Sequence, residues 1–227
     1  MKTLALQMSD AYPSEGFTEW LLSRAEGADI LDLRGVEGTC CYCDGTAKEE
    51  IGKALPAVLP RLRWIDGGDY HYLTHLLALR EKEPFWMVLM DNHPDNQEPA
   101  FDGVLSCGSW VKAMEEENGM LRGVLTIGPE GCMQELPEGW ADGKRVYISL
   151  DKDIMSPECA RTDWTQGEYT LGQIEDMLLR IFKSAGEIVA VDICGELQPS
   201  KGGKPEDLRI NLETNTELYN YITKHLN

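Results

Sequence analysis

Eight short apolar runs, separated by segments of helical periodicity, constrain this chain more than any other feature. The runs are "TLALQM" (3–8), "DILDLRG" (29–35), "LRWIDGG" (62–68), "FWMVLMD" (85–91), "GVLSCG" (103–108), "RGVLTIG" (122–128), "RVYISLD" (145–151) and "EIVAVDICG" (187–195). Helical patterns lie between most of them. Trp20, Leu21 and Leu22 mark one over 16–26, Ile51, Leu55 and Val58 a second, and Leu73, Leu76, Leu77 and Leu79 a third. Thr170 and Gln173 have the spacing of a capping box before "IEDMLLRIFKSAG", and "ETNTELYNYITKHLN" closes the chain as another helix. Strands alternating with helices in this way predict an α/β fold, with a mostly parallel sheet covered on both faces. The Gly- and Pro-rich piece 197–208 reads as a surface loop.

Composition narrows the function. A chain of 227 residues with 42% hydrophobic content supports one sizeable core, so a single domain over 1–227 is expected. No apolar run approaches the roughly 20 residues that span a bilayer, and the N-terminus reads as a first strand, not a signal peptide. The formal charge of −18 argues against nucleic acid and is compatible with a cationic substrate. Seven cysteines, an odd number without framework spacing, point to a reducing, cytoplasmic setting. Whether the chain forms a homo-oligomer is left open by the sequence.

In parallel sheets, ligands bind beyond the carboxyl ends of the strands. Here the run at 62–68 leads to Asp69, Tyr70 and His71, and the run at 85–91 to Asp91, His93 and Asp95. The run at 145–151 leads to Asp151 and Asp153, and the last run carries Asp192 and Glu196. Asp91, His93 and Asp95 occupy alternate positions, which an extended chain turns to one side. Carboxylates gathered at the end of a buried sheet repel one another unless a cation neutralises them. Mixed carboxylate and imidazole ligands suit Mn²⁺, Fe²⁺ or Zn²⁺, and the excess of carboxylates favours manganese. Five or six such ligands exceed the need of one catalytic ion, so two ions are expected.

"GGDYH", "DNHPD" and "SLDKD", in that order, resemble the three metal-binding motifs of the ureohydrolases, that is arginase, agmatinase and relatives. The similarity continues through "SPECARTDWTQGEYTLGQIEDML" to "VDIC". The resemblance implies a three-layer α/β/α sandwich with a roughly eight-stranded sheet and two Mn²⁺ ions at the strand ends. It implies that Asp91 and Asp151 bridge the ions, that His71 and Asp95 complete one site, and that His93 and Asp153 complete the other. It further implies attack of a metal-bridging hydroxide on the carbon of a small cationic guanidino-type substrate, with release of urea. Asp192 would contact the guanidinium, and Asp95 would carry a proton to the leaving amine.

The chain departs from the family pattern at several points. Tyr70 intervenes before His71, "SCGSW" (106–110) lacks the histidine that relatives often carry there, Ser156-Pro157 follows the third motif in place of Asp-Pro, and the chain is shorter than typical arginases. Two further readings therefore stand beside the urea-releasing hydrolase. One is a catalytically silent relative that binds a metal or a cationic ligand. The other is a deacetylase-type hydrolase on the same scaffold, which uses a single zinc. Of the remaining features, His75 reads as a helix-surface or packing histidine, and Cys40, Cys41 and Cys43 as small packed thiols near the pocket mouth. Trp110 and Trp164 are the two tryptophans that could flank a cation, with simple packing as the alternative.

Overall fold

The computed structural model describes residues 2–100 and 103–226. In chain order the elements are β1 (Thr3–Gln7), α1 (Ala11–Glu15), α2 (Phe17–Arg24), β2 (Ala28–Asp32), β3 (Tyr42–Cys43), α3 (Gly45–Ala54) and β4 (Leu62–Trp64). They continue with α4 (Leu73–Ala78), β5 (Phe85–Met90), β6 (Leu105–Ser106), α5 (Trp110–Glu117), β7 (Leu121–Ile127) and β8 (Arg145–Asp151). The last three are α6 (Leu171–Ser184), β9 (Glu187–Cys194) and α7 (Pro205–His225). Seven strands form one parallel sheet in the order β2-β1-β4-β9-β8-β5-β7.

The sheet has seven strands, not the eight expected from the apolar runs. The run at 103–108 does not enter it. Only Leu105 and Ser106 are extended, and they pair antiparallel with Tyr42 and Cys43. The reason is local: Gly103 takes a positive φ of 85° and Ser109 already leads into α5, so the run is too short to cross a sheet.

Side chains of the central strands alternate between two cores. Val88, Met90, Ile148, Leu150 and Ile193 pack with α2, α6 and α7. Met87, Leu89 and Tyr147 pack with α3, α4 and α5. Both faces being covered, β5 and β8 read as nearly unbroken apolar runs. The capping box of α6 forms as its spacing predicts: Gln173 N–H donates to Thr170 Oγ1, and Thr170 N–H donates to Gln173 Oε1. By contrast, α7 begins at Pro205, inside the stretch read as a loop. Proline is favoured at a first helical position, where its missing N–H costs no hydrogen bond, and Asp207 accepts the Lys204 N–H to close the turn. Among the described residues no helix is long and apolar enough to cross a membrane.

The chain passes from β4 to β5 across a gap that β8 and β9 later fill. Such a reversal leaves a crevice beyond the carboxyl ends of the central strands. The carboxylates and imidazoles of the three motifs converge there.

Candidate metal centre

Three connections build the centre. After β4 the chain makes a 3-10 turn over Gly68–Tyr70 and delivers His71, which is 1% exposed. Tyr70, the extra residue of the first motif, is absorbed by this turn with its ring buried in the core. His71 Nδ1 lies 3.1 Å from Asp91 Oδ2, 3.1 Å from Asp95 Oδ2 and 3.4 Å from Asp151 Oδ2. Its Nε2 is 2.9 Å from Ser149 Oγ. A ring held by Nε2–H donating to Ser149 turns the Nδ1 lone pair to the carboxylates, as an imidazole ligand requires.

After β5 the chain turns sharply. The His93 N–H donates to Asp91 Oδ1 at 2.6 Å, and Asp95 adopts a left-handed φ of 46°, which Asp tolerates better than most residues. His93 Nδ1 reaches Asp153 Oδ2 at 2.8 Å, while its Nε2 meets Thr165 Oγ1 at 2.8 Å. After β8, Asp151 Oδ1 accepts the Asp153 N–H, and Asp153 Oδ1 accepts the Asn92 N–H, both at 2.9 Å. Gly195, at the end of β9, closes the back of this turn. Its φ is 94°, and a Cβ there would run into Asp151 Oδ1.

Ligand-type atoms of His71, Asp91 and Asp95, and separately of Asp91, His93 and Asp153, lie within 4.8 Å of one another, so Asp91 is common to both groups. Asp151 joins His71 in a third group that includes Cys194, a residue that sequence reasoning did not single out. Its signal was its position at the end of β9.

The electrostatics explain what such a cluster needs. Burial, with Asp153 and Asp91 close by, raises the Asp151 carboxyl well above its ordinary range. Burial and the Asp91 charge push Asp153 up to about 7. The bond to Asp153 is the main cause that holds His93 protonated up to about 10. Burial opposes the charged form of His71, yet Asp91 and Asp95 outweigh it and raise its pKa. Protons thus stand in for positive charge that the cluster lacks. Asp91 Oδ2 is buried and accepts no well-directed hydrogen bond, although His71 Nδ1 is only 3.1 Å away. A buried oxygen left in this way costs roughly 1–3 kcal/mol or more when charged. The donor groups, His71 with Asp91 and Asp95, Asp91 with His93 and Asp153, and His71 with Asp151 and Cys194, are of the kind that could hold a cation.

Asp95 is steadied from outside the cluster. Trp110 Nε1–H donates to Asp95 Oδ2 at 2.6 Å. Trp110 is fully buried, so it packs and orients, and cannot flank a ligand as the sequence allowed. His75 is fully buried too. It faces Glu117 at 3.2 Å and takes no part in the cluster.

The structure does not bring Asp192 to the cluster. The side chain is fully buried, with Oδ1 held by Arg63 Nε and Oδ2 by the Tyr147 hydroxyl, both at 2.6 Å. The cause is position along the strand. Asp192 is in register with Arg63 and Ser149, two residues short of the strand end at Cys194. Glu196 lies beyond the end but turns the other way, to Lys152 at 2.5 Å and to Asn215 and Asn211 of α7.

A cavity of about 310 Å³ opens onto the cluster, with Cys41, Gln97, Ser106, Cys107 and Trp164 in its walls. Burial pushes the Cys41 thiol up to about 12, so it stays protonated at neutral pH. A larger, more open groove of about 830 Å³ lies elsewhere, between Gly128–Glu135 and Gly167–Arg180. It holds no imidazole, and the ligand-type groups lie in the smaller cavity.

No family model matches the chain. A Thermotoga maritima protein described as uncharacterized is 28% identical over 182 residues, 75% of this chain and 72% of that one. Among solved structures, the proclavaminate amidino hydrolase of Streptomyces clavuligerus superposes with a TM-score of 0.66 at 16% identity, covering 100% of this chain and 92% of that one. The formimidoylglutamase of Bacillus subtilis gives 0.64 at 11% identity, covering 98% and 87%. The arginase of Bacillus caldovelox gives 0.62 at 14% identity, covering 96% and 98%. With a parallel sheet covered on both faces and a carboxylate–imidazole cluster at its strand ends, this chain carries the ureohydrolase fold.

Proposed function

We propose that this protein is a dinuclear, manganese-dependent hydrolase that cleaves a C–N bond in a small cationic guanidino or related amidino compound and releases urea or its amide counterpart. One observation carries the reading: Asp91, Asp95, Asp151 and Asp153 meet His71 and His93 in a buried cluster that contains no Lys or Arg to balance it. When bound, two ions would supply the Lewis acidity that makes water nucleophilic near pH 7. Asp91 and Asp151 would be shared between the ions, His71 and Asp95 would serve one, and His93 and Asp153 the other. Asp95, with one oxygen held by Trp110, is suited to hold the proton that leaves with the amine. The names of the superposing structures, all amidino or formimidoyl hydrolases or arginase, support the same class of reaction. The seven free thiols fit a reducing compartment, and a cytoplasmic location belongs to the same proposal.

A specific observation favours a second reading, a catalytically silent binding protein. Neither Asp192 nor Glu196 faces the cavity, so the β9 side offers no carboxylate to a guanidinium. The deacetylase-type alternative needs one zinc, and the full carboxylate set speaks against it. Elemental analysis after manganese loading, with urea release measured across a panel of guanidino compounds, separates the three. Two ions with urea release supports the hydrolase. Two ions without turnover favours the silent reading. One zinc in preference to manganese favours the deacetylase type.

A further inference from the structure

Trp164 is among the few exposed large apolar side chains of the described residues, at 40%, and it lines the cavity over the candidate metal centre. It is not a loose surface ring. Its Nε1–H donates to Asp69 Oδ1 at 3.1 Å. Asp69 is itself 1% exposed and anchored by Lys201 Nζ at 2.5 Å and Gln198 Nε2 at 3.0 Å. Gly68 makes room for the indole: a Cβ there would stand 2.7 Å from Trp164 Cδ1. The His93 ring meets Trp164 edge-on, 5.7 Å between centroids at 70°. The next residue, Thr165, is tied by its hydroxyl to His93 and by its carbonyl to Asn92. Backbone, ring edge and ring position are thus all fixed, and the residue lines the cavity.

The rest of the wall sharpens the point. Among the described residues its carboxylates are Asp91, Asp95, Asp151 and Asp153 of the cluster, and none is Lys or Arg. Lys201, the nearby cation, is paired with Asp69 and Asp163. Among the described residues, a planar cation in this cavity meets no free carboxylate beyond the ligand set, and a substrate carboxylate meets no cationic partner. Outside the cluster, the aromatic residues of the wall are Tyr42 and Trp164, and the indole, held against Asp69 and His93, is the face set to recognise the cation through the attraction of a cation for an aromatic face. A volume of about 310 Å³ is at the small end of ligand pockets and suits a small molecule.

We propose that Trp164 is the specificity-determining residue of this site, recognising the planar cation of a small guanidine or amidine that carries no carboxylate. The inference rests on the proposed hydrolase reading for the identity of the ligand class, but it is tested by binding as well as turnover. Manganese-loaded wild type, Trp164→Phe and Trp164→Leu are titrated calorimetrically with methylguanidine, agmatine, arginine and 4-guanidinobutanoate, with metal content measured in each.

Methylguanidine and agmatine should bind wild type at least about tenfold more tightly than arginine and 4-guanidinobutanoate. Trp164→Phe, which keeps an aromatic face but loses the N–H, should stay within a few-fold of wild type. Trp164→Leu should weaken binding about 3- to 30-fold with metal content unchanged, the range expected for a cation on an aromatic face. Where a probe is turned over, the loss should appear in KM and leave kcat nearly unaltered. Binding in this pattern without urea release supports the role of Trp164 and sinks the hydrolase reading. Equal binding of carboxylated and uncarboxylated probes, wild-type affinity in Trp164→Leu, or equal losses in the Phe and Leu variants overturns the inference even if urea is released.

Discussion

Asp192→Asn separates the two roles open to this residue, a substrate contact and a structural ion pair. The substitution keeps the shape of the side chain and an oxygen to accept the Tyr147 hydroxyl, but removes the charge opposite Arg63. Both partners are essentially unexposed, with side chains 1% and 0% accessible, and Arg63 Nε is 2.6 Å from Asp192 Oδ1. Arg63 also donates to the Tyr147 hydroxyl at 2.5 Å, so the three groups form one closed network. A guanidinium cannot shed its proton to escape burial. Breaking a buried pair by neutralising one partner typically costs about 3–5 kcal/mol. Total stabilities of about 5–15 kcal/mol make that a large fraction. With a urea dependence of about 3 kcal/mol per molar, the unfolding midpoint should fall by on the order of 1–2 M. The assay is urea unfolding followed by far-UV circular dichroism. It is paired with KM on the fraction that remains folded, which should change little. The double variant Arg63→Met, Asp192→Leu should recover most of the loss, because removing both charges also removes the unpaired one. Unchanged stability with a KM raised a hundredfold would refute the argument and return Asp192 to the substrate.

The contrast between Asp192 and Asp91 shows what the sequence could and could not say. Asp91, Asp151 and Asp153 were legible because each ends or directly follows an apolar run, and in a parallel sheet that position is the carboxyl rim. His71 was legible as a motif residue although Tyr70 displaces it, since a 3-10 turn can take up an extra residue without moving α4. Asp192 sits inside its run, with Ile193 and Cys194 still extended after it, so it stays within the sheet. The charge of Arg63, equally misplaced inside "LRW", was the signal that the two belong together, but pairing across 129 positions requires the strand order β4-β9. Trp110 has the same history. Its place at the start of α5 was not marked by periodicity, and only packing against Val111, Met114 and the β5–β8 core shows it to be buried. The parallel α/β class came from alternation of runs. The count of strands did not, because a two-residue strand and a sheet strand look alike when only apolar content is read.

Four further outcomes are expected. Trp110→Phe removes the N–H that holds Asp95 Oδ2, and should weaken manganese binding about 10- to 100-fold at the position served by His71 and Asp95, while the position served by His93 and Asp153 is spared; calorimetry resolving two binding events checks this, and equal weakening of both would contradict it. Manganese affinity should rise with pH between 6 and 9, since the cation must displace the proton that His93 holds up to about 10 and, below about 7, one on Asp153 as well; titrations in buffers of different ionisation enthalpy count the protons released, and a flat profile would remove the coupling. Asp91→Asn should lose metal at both positions and His93→Ala at one, because Asp91 belongs to both ligand groups and His93 to a single one; equal residual metal in the two variants would contradict the assignment. The last outcome concerns two histidines one helical turn apart. His71→Ala should lose an ion, because its Nδ1 faces three carboxylates within 3.4 Å. His75→Ala should keep both ions but lower stability by about 1–3 kcal/mol, as a fully buried ring is removed and Glu117 is left with Lys48 alone of these two partners. Tyr70→Phe should leave metal content unchanged, its ring packing in the core away from the ligand atoms. Metal analysis and thermal unfolding of the three variants under one loading protocol decide the matter: loss of an ion from His75→Ala with both retained in His71→Ala would mean that the first ligand of the centre lies on α4 itself and not on the turn before it.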